Sequence, residues 1–415
     1  LLEPPEADLA WHVRAWGWWV LQRARKDLEK YYPTVDGKPT VAYLWARTVR
    51  CEFPDCGAEI PLVRSFWLSK KANRKRALRP TVVRHKGRAP AVEFEVFEPK
   101  TEDEVPKGTV TRAKATCVCC HRTTVPDRVR AQLAAQRGGA DVAFADNGER
   151  VGGARLLAVV TLHPGEQGRH YRLPMAKDYE AVRKAKQRLD QVASKPLANG
   201  LSAIPDEPLP PIGTLGFRVQ RYGMLQWGDL FTTRQTLAMV VLRGAIANVR
   251  DEGSAVSDIT SLALSRLSDI SNALCRWEST KTQVRNLFGR QALPMIWDFA
   301  EPSLFGEQAG DYTVTLNTMT NVIDALPQNK YTGQVQIADA RASPLPDQGV
   351  SVWFTDPPYY DAVPYADLSD FFFVWLKRTL PNHPMLRDPF DPTNRLTPKD
   401  REAVQDEIKQ IDGRP

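Results

Sequence analysis

Cys51 and Cys56 form one closely spaced thiol pair, Cys117 and Cys120 form a second, and strand-forming sequence lies between them. No other feature constrains the fold as much, because a stretch this short has too little apolar mass to hold itself together without a staple. Two such knuckles place four sulfurs tetrahedrally around one zinc ion, the layout of a zinc ribbon. Cys119 and His121 leave the fourth ligand ambiguous. The two-residue gap lets Cys117 and Cys120 curl around one ion, whereas adjacent Cys119 and Cys120 would strain to do so. The sixth cysteine, Cys275, stands alone on a helical pattern and reads as a buried, inert thiol. A closed four-sulfur set has no open position for catalysis, so the expected metal is structural.

The 415 residues give room for two or three domains and a sizeable core. An amphipathic stripe from Asp8 to Lys30 (Leu9, Val13, Trp16, Val20, Ala24, Leu28) predicts a helix closed by Pro33. Short β-like runs from Val41 to Arg130 hold five of the six cysteines and read as an inserted module, with strands at Val92 to Phe97 and Thr109 to Ala115. A hairpin (Leu156 to Leu162, Arg169 to Leu173), a charged helix (Lys177 to Val192) and a proline-rich connector (Ile204 to Pro211) follow. Long helical patterns cover Leu230 to Arg250 and Val256 to Trp277, and a loop-rich region runs on to Gly310. From Tyr312 the pattern is helix (Leu316 to Leu326), strand (Gln334 to Ala338), strand (Val350 to Phe354) and helix (Ala366 to Leu380), then a proline-rich tail that turns helical from Pro398. The expected division is 1–40, an N-terminal helix; 41–130, the cysteine module; 131–310, a mixed hairpin and helical region suited to target recognition; and 311–415, part of an α/β sheet domain.

Formal net charge is +7, but the surplus is concentrated. Lys70, Lys71, Arg74, Lys75 and Arg76, continued by Arg79, Arg84, Lys86 and Arg88, lie in a stretch without an acid between Glu59 and Glu93. With Phe66 and Trp67 just ahead of it, this tract can track a nucleic-acid backbone, although a solvated loop has the same composition. No apolar run is long enough to cross a bilayer and the start has no secretory pattern, so the expected location is cytoplasmic, with no membrane partner. The chain opens Leu1-Leu2-Glu3-Pro4 and has no methionine before Met175, which leads us to expect an internal fragment of a longer protein.

Asp356-Pro357-Pro358-Tyr359 follows the apolar run Val350 to Phe354, placing a chemically loaded turn at an expected strand end, where open α/β sheets bind ligands. These residue types suit methyl transfer to an exocyclic amine of a nucleobase. Such an amine is a poor nucleophile because its lone pair is delocalised into the ring. A carboxylate and a backbone carbonyl that accept its two N–H groups pull the nitrogen toward tetrahedral geometry; Asp356 and the Pro357 carbonyl are the candidates. Pro357 and Pro358 fix φ and bring no competing N–H, and Tyr359 offers a ring on which an extruded base can stack.

The run Thr355 to Leu376, TDPPYYDAVPYADLSDFFFVWL, resembles the catalytic segment of the amino-methyltransferases, in particular the zinc-ribbon-containing adenine-specific DNA methylases. Leu44-Trp45-Ala46-Arg47-Thr48-Val49, Pro61 to Leu68 (PLVRSFWL), Gly213-Thr214-Leu215-Gly216-Phe217 and Gln291-Ala292-Leu293-Pro294-Met295 are similar to further stretches of that family. The resemblance implies a partial Rossmann-like methyltransferase sheet carrying an inserted zinc ribbon, S-adenosylmethionine as methyl donor, and adenine in DNA as acceptor. It also makes Asp339, in Ile337-Ala338-Asp339-Ala340, the candidate acceptor for the amino group of the cofactor's adenine ring.

The family's glycine-rich cofactor loop has no counterpart here. Gly138-Gly139 and Gly152-Gly153 lack the preceding strand and acid, and Asp388-Pro389-Phe390 runs into Asp391-Pro392. In the family that loop precedes the zinc ribbon, so it is expected upstream of Leu1, and the fragment alone is expected to be inactive. Three readings follow: a DNA adenine N6-methyltransferase; a DNA cytosine N4-methyltransferase, whose acceptor amine is chemically equivalent; and a non-catalytic zinc-ribbon DNA-binding subunit of a modification or defence system, with protein partners from that system.

Overall fold

A computed structural model describes residues 8–84, 86–249, 254–326, 333–336, 338–339, 342–381, 383–389, 391–400 and 402–404. The helices are α1 (Leu9–Leu28), α2 (Pro126–Ala134), α3 (Ala176–Val192), α4 (Thr233–Ile246), α5 (Ser254–Ile270), α6 (Tyr312–Ala325) and α7 (Tyr365–Thr379). The strands are β1 (Thr40–Ala46), β2 (Thr48–Arg50), β3 (Glu59–Pro61), β4 (Trp67–Ser69), β5 (Arg76–Val83), β6 (Ala91–Phe97), β7 (Val110–Thr111), β8 (Lys114–Thr116), β9 (Thr123–Thr124), β10 (Val142–Phe144), β11 (Arg150–Gly153), β12 (Arg155–Thr161), β13 (His170–Arg172), β14 (Arg276–Glu278), β15 (Gln283–Arg285) and β16 (Asp298–Pro302).

The centre is a four-stranded sheet in the order β13-β12-β1-β16. Every residue of β1 is buried, so the strand has a core on each side. Alternation along the strand sorts the side chains. Tyr43 and Trp45 face the cluster built with the helices, while Ala42, Leu44 and Ala46 face a second cluster with Val63, Phe66, Leu68 and Leu78. β1, grouped with the cysteine module by sequence, therefore pairs with β12 and β16 of the central sheet.

Helices cover the first face. Asp8 caps α1 by accepting the Trp11 N–H at 2.8 Å, and the buried stripe Val13, Gly17, Val20, Leu21, Ala24 and Leu28 faces inward. Gly17 leaves room for α6, since a Cβ there would run into the Leu316 side chain. Thr232 and Gln235 form a reciprocal capping box at the start of α4. The pattern at Val256 to Trp277 predicted a longer helix than α5. The chain leaves it at Ile270 because Asn272 bonds locally instead, its amide donating to the Ser268 carbonyl (2.8 Å) and its oxygen accepting from Leu274 N–H (2.9 Å).

β16 is the edge strand that composition concealed, because its sequence, Asp298 to Pro302, carries two acids. One of them, Glu301, is buried against Arg234 of α4 through two bonds of 2.7 and 2.8 Å, and it also accepts Trp45 Nε1–H at 2.8 Å. Arg234 further donates to the Tyr31 carbonyl (3.0 Å) and lies 3.8 Å from the centre of the Tyr43 ring. This pair pins helix, sheet and the end of α1 together. Glu301→Gln is expected to destabilise the fold by about 3–5 kcal/mol, because it leaves a guanidinium buried without its counter-charge. Thermal denaturation of the variant against the parent measures it; an unchanged melting temperature would show that the pin is dispensable.

The chain is a mixed α/β protein, as expected, built on small antiparallel sheets. No Rossmann-like sheet is seen among the described residues. All the strand ladders there are antiparallel, and the sheets have two to four strands. The predicted strand Val350 to Phe354 is neither helix nor strand, with Val352 79% and Phe354 91% exposed. Gln334 to Gln336 and Ala338 are likewise irregular, and Ile337 lies outside the described residues. An apolar run forms a buried strand only where neighbouring strands take its hydrogen bonds and cover its faces. Here no strand among the described residues does so. The expected helix after Pro398 is not seen over residues 398–400 and 402–404, and its remainder lies outside the described residues.

α7 is firmly seated. Phe371 stacks on Phe231 at 5.7 Å, and Trp375 meets Phe231 edge-on at 5.4 Å. Arg378, fully buried, donates to Glu207 (2.9 Å) and to the Ser202 carbonyl (2.8 Å), and Lys377 shares Glu207. The proline-rich connector is thereby strapped against α7. No helix among the described residues is long and apolar enough to cross a membrane.

Candidate metal centre and candidate catalytic segment

The four predicted thiols converge. The β2–β3 hairpin carries Cys51 and Cys56 in its loop, and the loop between β8 and β9 carries Cys117 and Cys120. Their ligand atoms all lie within 4.8 Å of one another; Cys51 and Cys120 sulfurs are 3.6 Å apart, Cys56 and Cys117 sulfurs 3.7 Å. A tetrahedron with metal–sulfur bonds of about 2.3 Å has edges of about 3.8 Å, so the donor set fits one ion such as zinc with all four positions filled. The Cys119 N–H turns back toward Cys117 Sγ (3.4 Å).

The ambiguity over the fourth ligand is resolved in favour of Cys120. Cys119 is buried beside the cluster but outside the quartet, and His121, exposed at φ +60°, uses its N–H to bond the Cys117 carbonyl at 2.9 Å. Burial pushes the Cys51 thiol up to about 11 and raises Cys117 as well, so in the metal-free cluster these two favour the protonated form. Against its burial, Cys120 is lowered by hydrogen bonds from the Arg122 N–H and the neighbouring thiols. A bound cation reverses the preference of Cys51 and Cys117, since coordinating thiols lose their protons. The apolar surroundings are Val49, Ala58, Ile60, Leu62, Val110 and Ala115 around the thiols, with Val92 of β6, Val129 and Leu133 of α2, and Tyr222 and Trp297 closing the cluster. Cys275, buried against α5, stands apart.

The Asp356 segment lies on the surface. Asp356, Pro357, Pro358 and Tyr359 are all exposed, with Tyr359 at 66%, and they form neither helix nor strand. The chain re-enters the core at Val363 and becomes α7 two residues later, so the exposed loop hangs from a rigid anchor. Asp339 is half-buried in an irregular segment whose neighbours Ile337 and Ala340 lie outside the described residues.

The basic tract runs through the β4–β5 turn into β5, the middle strand of the sheet β4-β5-β6, which changes its electrostatics. Arg79 stands opposite Glu95 in register and bonds it at 2.5 Å; Arg76 pairs with Glu98 at 2.8 Å and Lys70 with Glu102 at 3.6 Å. Acids absent from the tract itself are supplied by β6 and by the turn that follows it. Lys71, Arg74 and Lys75 have no carboxylate partner among the described residues.

A further cluster escaped sequence reading. His163, Glu166 and His170 gather on the β12–β13 connection, their ligand atoms within 4.8 Å of one another. The signal was the spacing His-x2-Glu-x3-His in a chain with only six histidines. Comparison with family models, with curated proteins and with solved structures finds no match.

Proposed function

We propose that this chain is part of an S-adenosylmethionine-dependent DNA adenine N6-methyltransferase with a structural zinc ribbon. The observation that carries the reading is the segment Thr355 to Leu376, in which a stiff Asp-Pro-Pro-Tyr loop, open to solvent, leads directly into the core-anchored α7. An exposed carboxylate and an exposed ring on a fixed stem are what an extruded base needs to meet.

In this reading adenine leaves the stack and lies on the Tyr359 ring. Its amine donates one hydrogen bond to Asp356 and one to the Pro357 carbonyl, which directs the nitrogen lone pair away from the ring plane. S-adenosylmethionine, when bound, supplies an electrophilic methyl on a positively charged sulfur, and Asp339 accepts the amino group of its adenine. Asp356 would stabilise the positive charge that grows on the amine as its lone pair takes the methyl; the sulfur would leave as a neutral thioether and the surplus proton of the amine would pass to water. No covalent bond to the protein is needed.

The exposed apolar run Val350 to Phe354 is a surface that a neighbouring strand would cover. With no glycine-rich cofactor loop in these 415 residues, they are expected to bind S-adenosylmethionine weakly. Transfer of tritiated methyl to DNA by the natural protein in its full length tests the function. Absence of transfer, with DNA binding intact, would favour the non-catalytic DNA-binding subunit.

DNA is proposed to meet the basic tract through its phosphates. Neutralising Lys70, Lys71, Arg74 and Lys75 together is expected to weaken binding of any duplex and to flatten the slope of log K against log salt by about 2–3 rather than 4, since each phosphate contact contributes about 0.9 and Lys70 already serves Glu102. An unchanged slope would leave the tract a solvated loop.

A further inference from the structure

Where the β12–β13 connection meets the turn before β5, the structure opens a cleft of about 590 Å³. Lys38, Arg74, Arg76, His163, Arg169 and His170 line it, with Asp36 and Glu166 as the carboxylates of the lining, so the cations outnumber the acids. Two of its arginines have no carboxylate partner among the described residues: Arg74, and Arg169, whose guanidinium instead donates to Gln308. Arg169 is also half-buried, and burial holds it below its ordinary pKa. Gly168, at φ +95°, lets Arg74 reach in, because a Cβ at that position would overlap the Arg74 guanidinium. Arg76, by contrast, is already paired with Glu98.

The histidines lie face to face, 3.7 Å between ring centres and 5° from parallel. Glu166, 61% exposed at the rim, reaches both, 3.6 Å from His163 Nδ1 and 3.2 Å from His170 Nε2. Three such groups suggest a cation site, but two observations oppose it. Parallel rings hold their in-plane lone pairs in parallel planes that do not meet, whereas two imidazoles on one ion must converge on it. Guanidinium groups surround the cluster, and they repel a cation and attract an anion.

We propose that this cleft is a phosphate-binding site, in which Arg74 and Arg169 grip the phosphoryl oxygens and the two imidazoles donate from the side. Arginine forks suit phosphate oxygens, and a partly desolvated guanidinium without a counter-ion gains most from receiving one. The phosphate class includes the DNA backbone and a free polyphosphate. That DNA supplies it rests on the function proposed above; that the cleft takes phosphate does not.

The test is titration of the metal-loaded full chain with pyrophosphate, read by calorimetry and by the histidine ring resonances, with His163→Gln and His170→Gln assigning the two peaks. Pyrophosphate is expected to bind and to shift both resonances. Joint replacement Arg74→Gln and Arg169→Gln should weaken it about a hundredfold, about tenfold for each charge-assisted contact, with melting temperature and metal content unchanged. Displacement of pyrophosphate by a short duplex assigns the site to the DNA backbone; retention in the presence of duplex assigns it to free polyphosphate. Either result supports the site. Histidine resonances that ignore pyrophosphate would overturn it even if the arginine variant failed to fold, and so would equal affinity in a folded variant or a second equivalent of zinc held by His163, Glu166 and His170. Methyl transfer enters no arm, so failure here leaves the Asp356 reading standing, and the reverse holds as well.

Discussion

Cys117→Ser is expected to release the metal and unfold the cysteine ribbon, while Cys119→Ser keeps both. The contrast follows from geometry. Cys117 Sγ stands 3.7 Å from Cys56 Sγ inside the quartet, whereas Cys119 lies one residue from a ligand but outside it. Serine oxygen is a poor replacement for thiolate, and metal binding contributes about 10–16 kcal/mol in small structural zinc units, a loss on the scale of a whole domain's stability. The cost should stay local, because the central sheet and the helices have their own cores. Metal analysis and proteolysis of the region between Arg50 and Thr124 read the two effects. A prolonged soak with a strong chelator should reproduce Cys117→Ser. Equal metal loss from the two variants would break the assignment.

The second large effect is expected at Asp356. In the natural full-length protein, Asp356→Ala should lower methyl transfer by at least about a thousandfold, the scale on which loss of a preorganised charge partner is felt at a transition state. Metal content and duplex affinity should stay close to the parent, because Asp356 is exposed on a loop remote in sequence from the ribbon and the basic tract. Asp356→Asn should retain more activity than alanine, since its amide oxygen still accepts one N–H. Loss of DNA binding in step with activity would mean that the loop holds the duplex rather than the amine.

The parts of this fold legible in the sequence were those governed by near neighbours along the chain. The thiol quartet could be read because each knuckle is local and the two-residue spacing already excluded one arrangement. α1, α3 and α7 could be read from apolar periodicity, and the observed ends differ by about a residue or two from those expected. What depended on distant partners was hidden. β16 looks like loop because its acids signal exposure, yet Glu301 is buried through Arg234, which lies 67 residues earlier. The basic tract looked unopposed because its counter-charges come from the opposite strand of a hairpin. Val350 to Phe354 misled in the other direction: apolar character predicts burial only where something exists to bury it.

The central claim is that the exposed loop at Asp356 serves methylation of an adenine amine. The most direct measurement supplies the natural full-length protein with S-adenosylmethionine bearing a deuterated methyl, digests the DNA to nucleosides and locates the label by mass spectrometry. Labelled N6-methyladenine, absent with Asp356→Ala, is the predicted result. Label confined to N4-methylcytosine, or undiminished labelling by the Asp356→Ala protein, would contradict it.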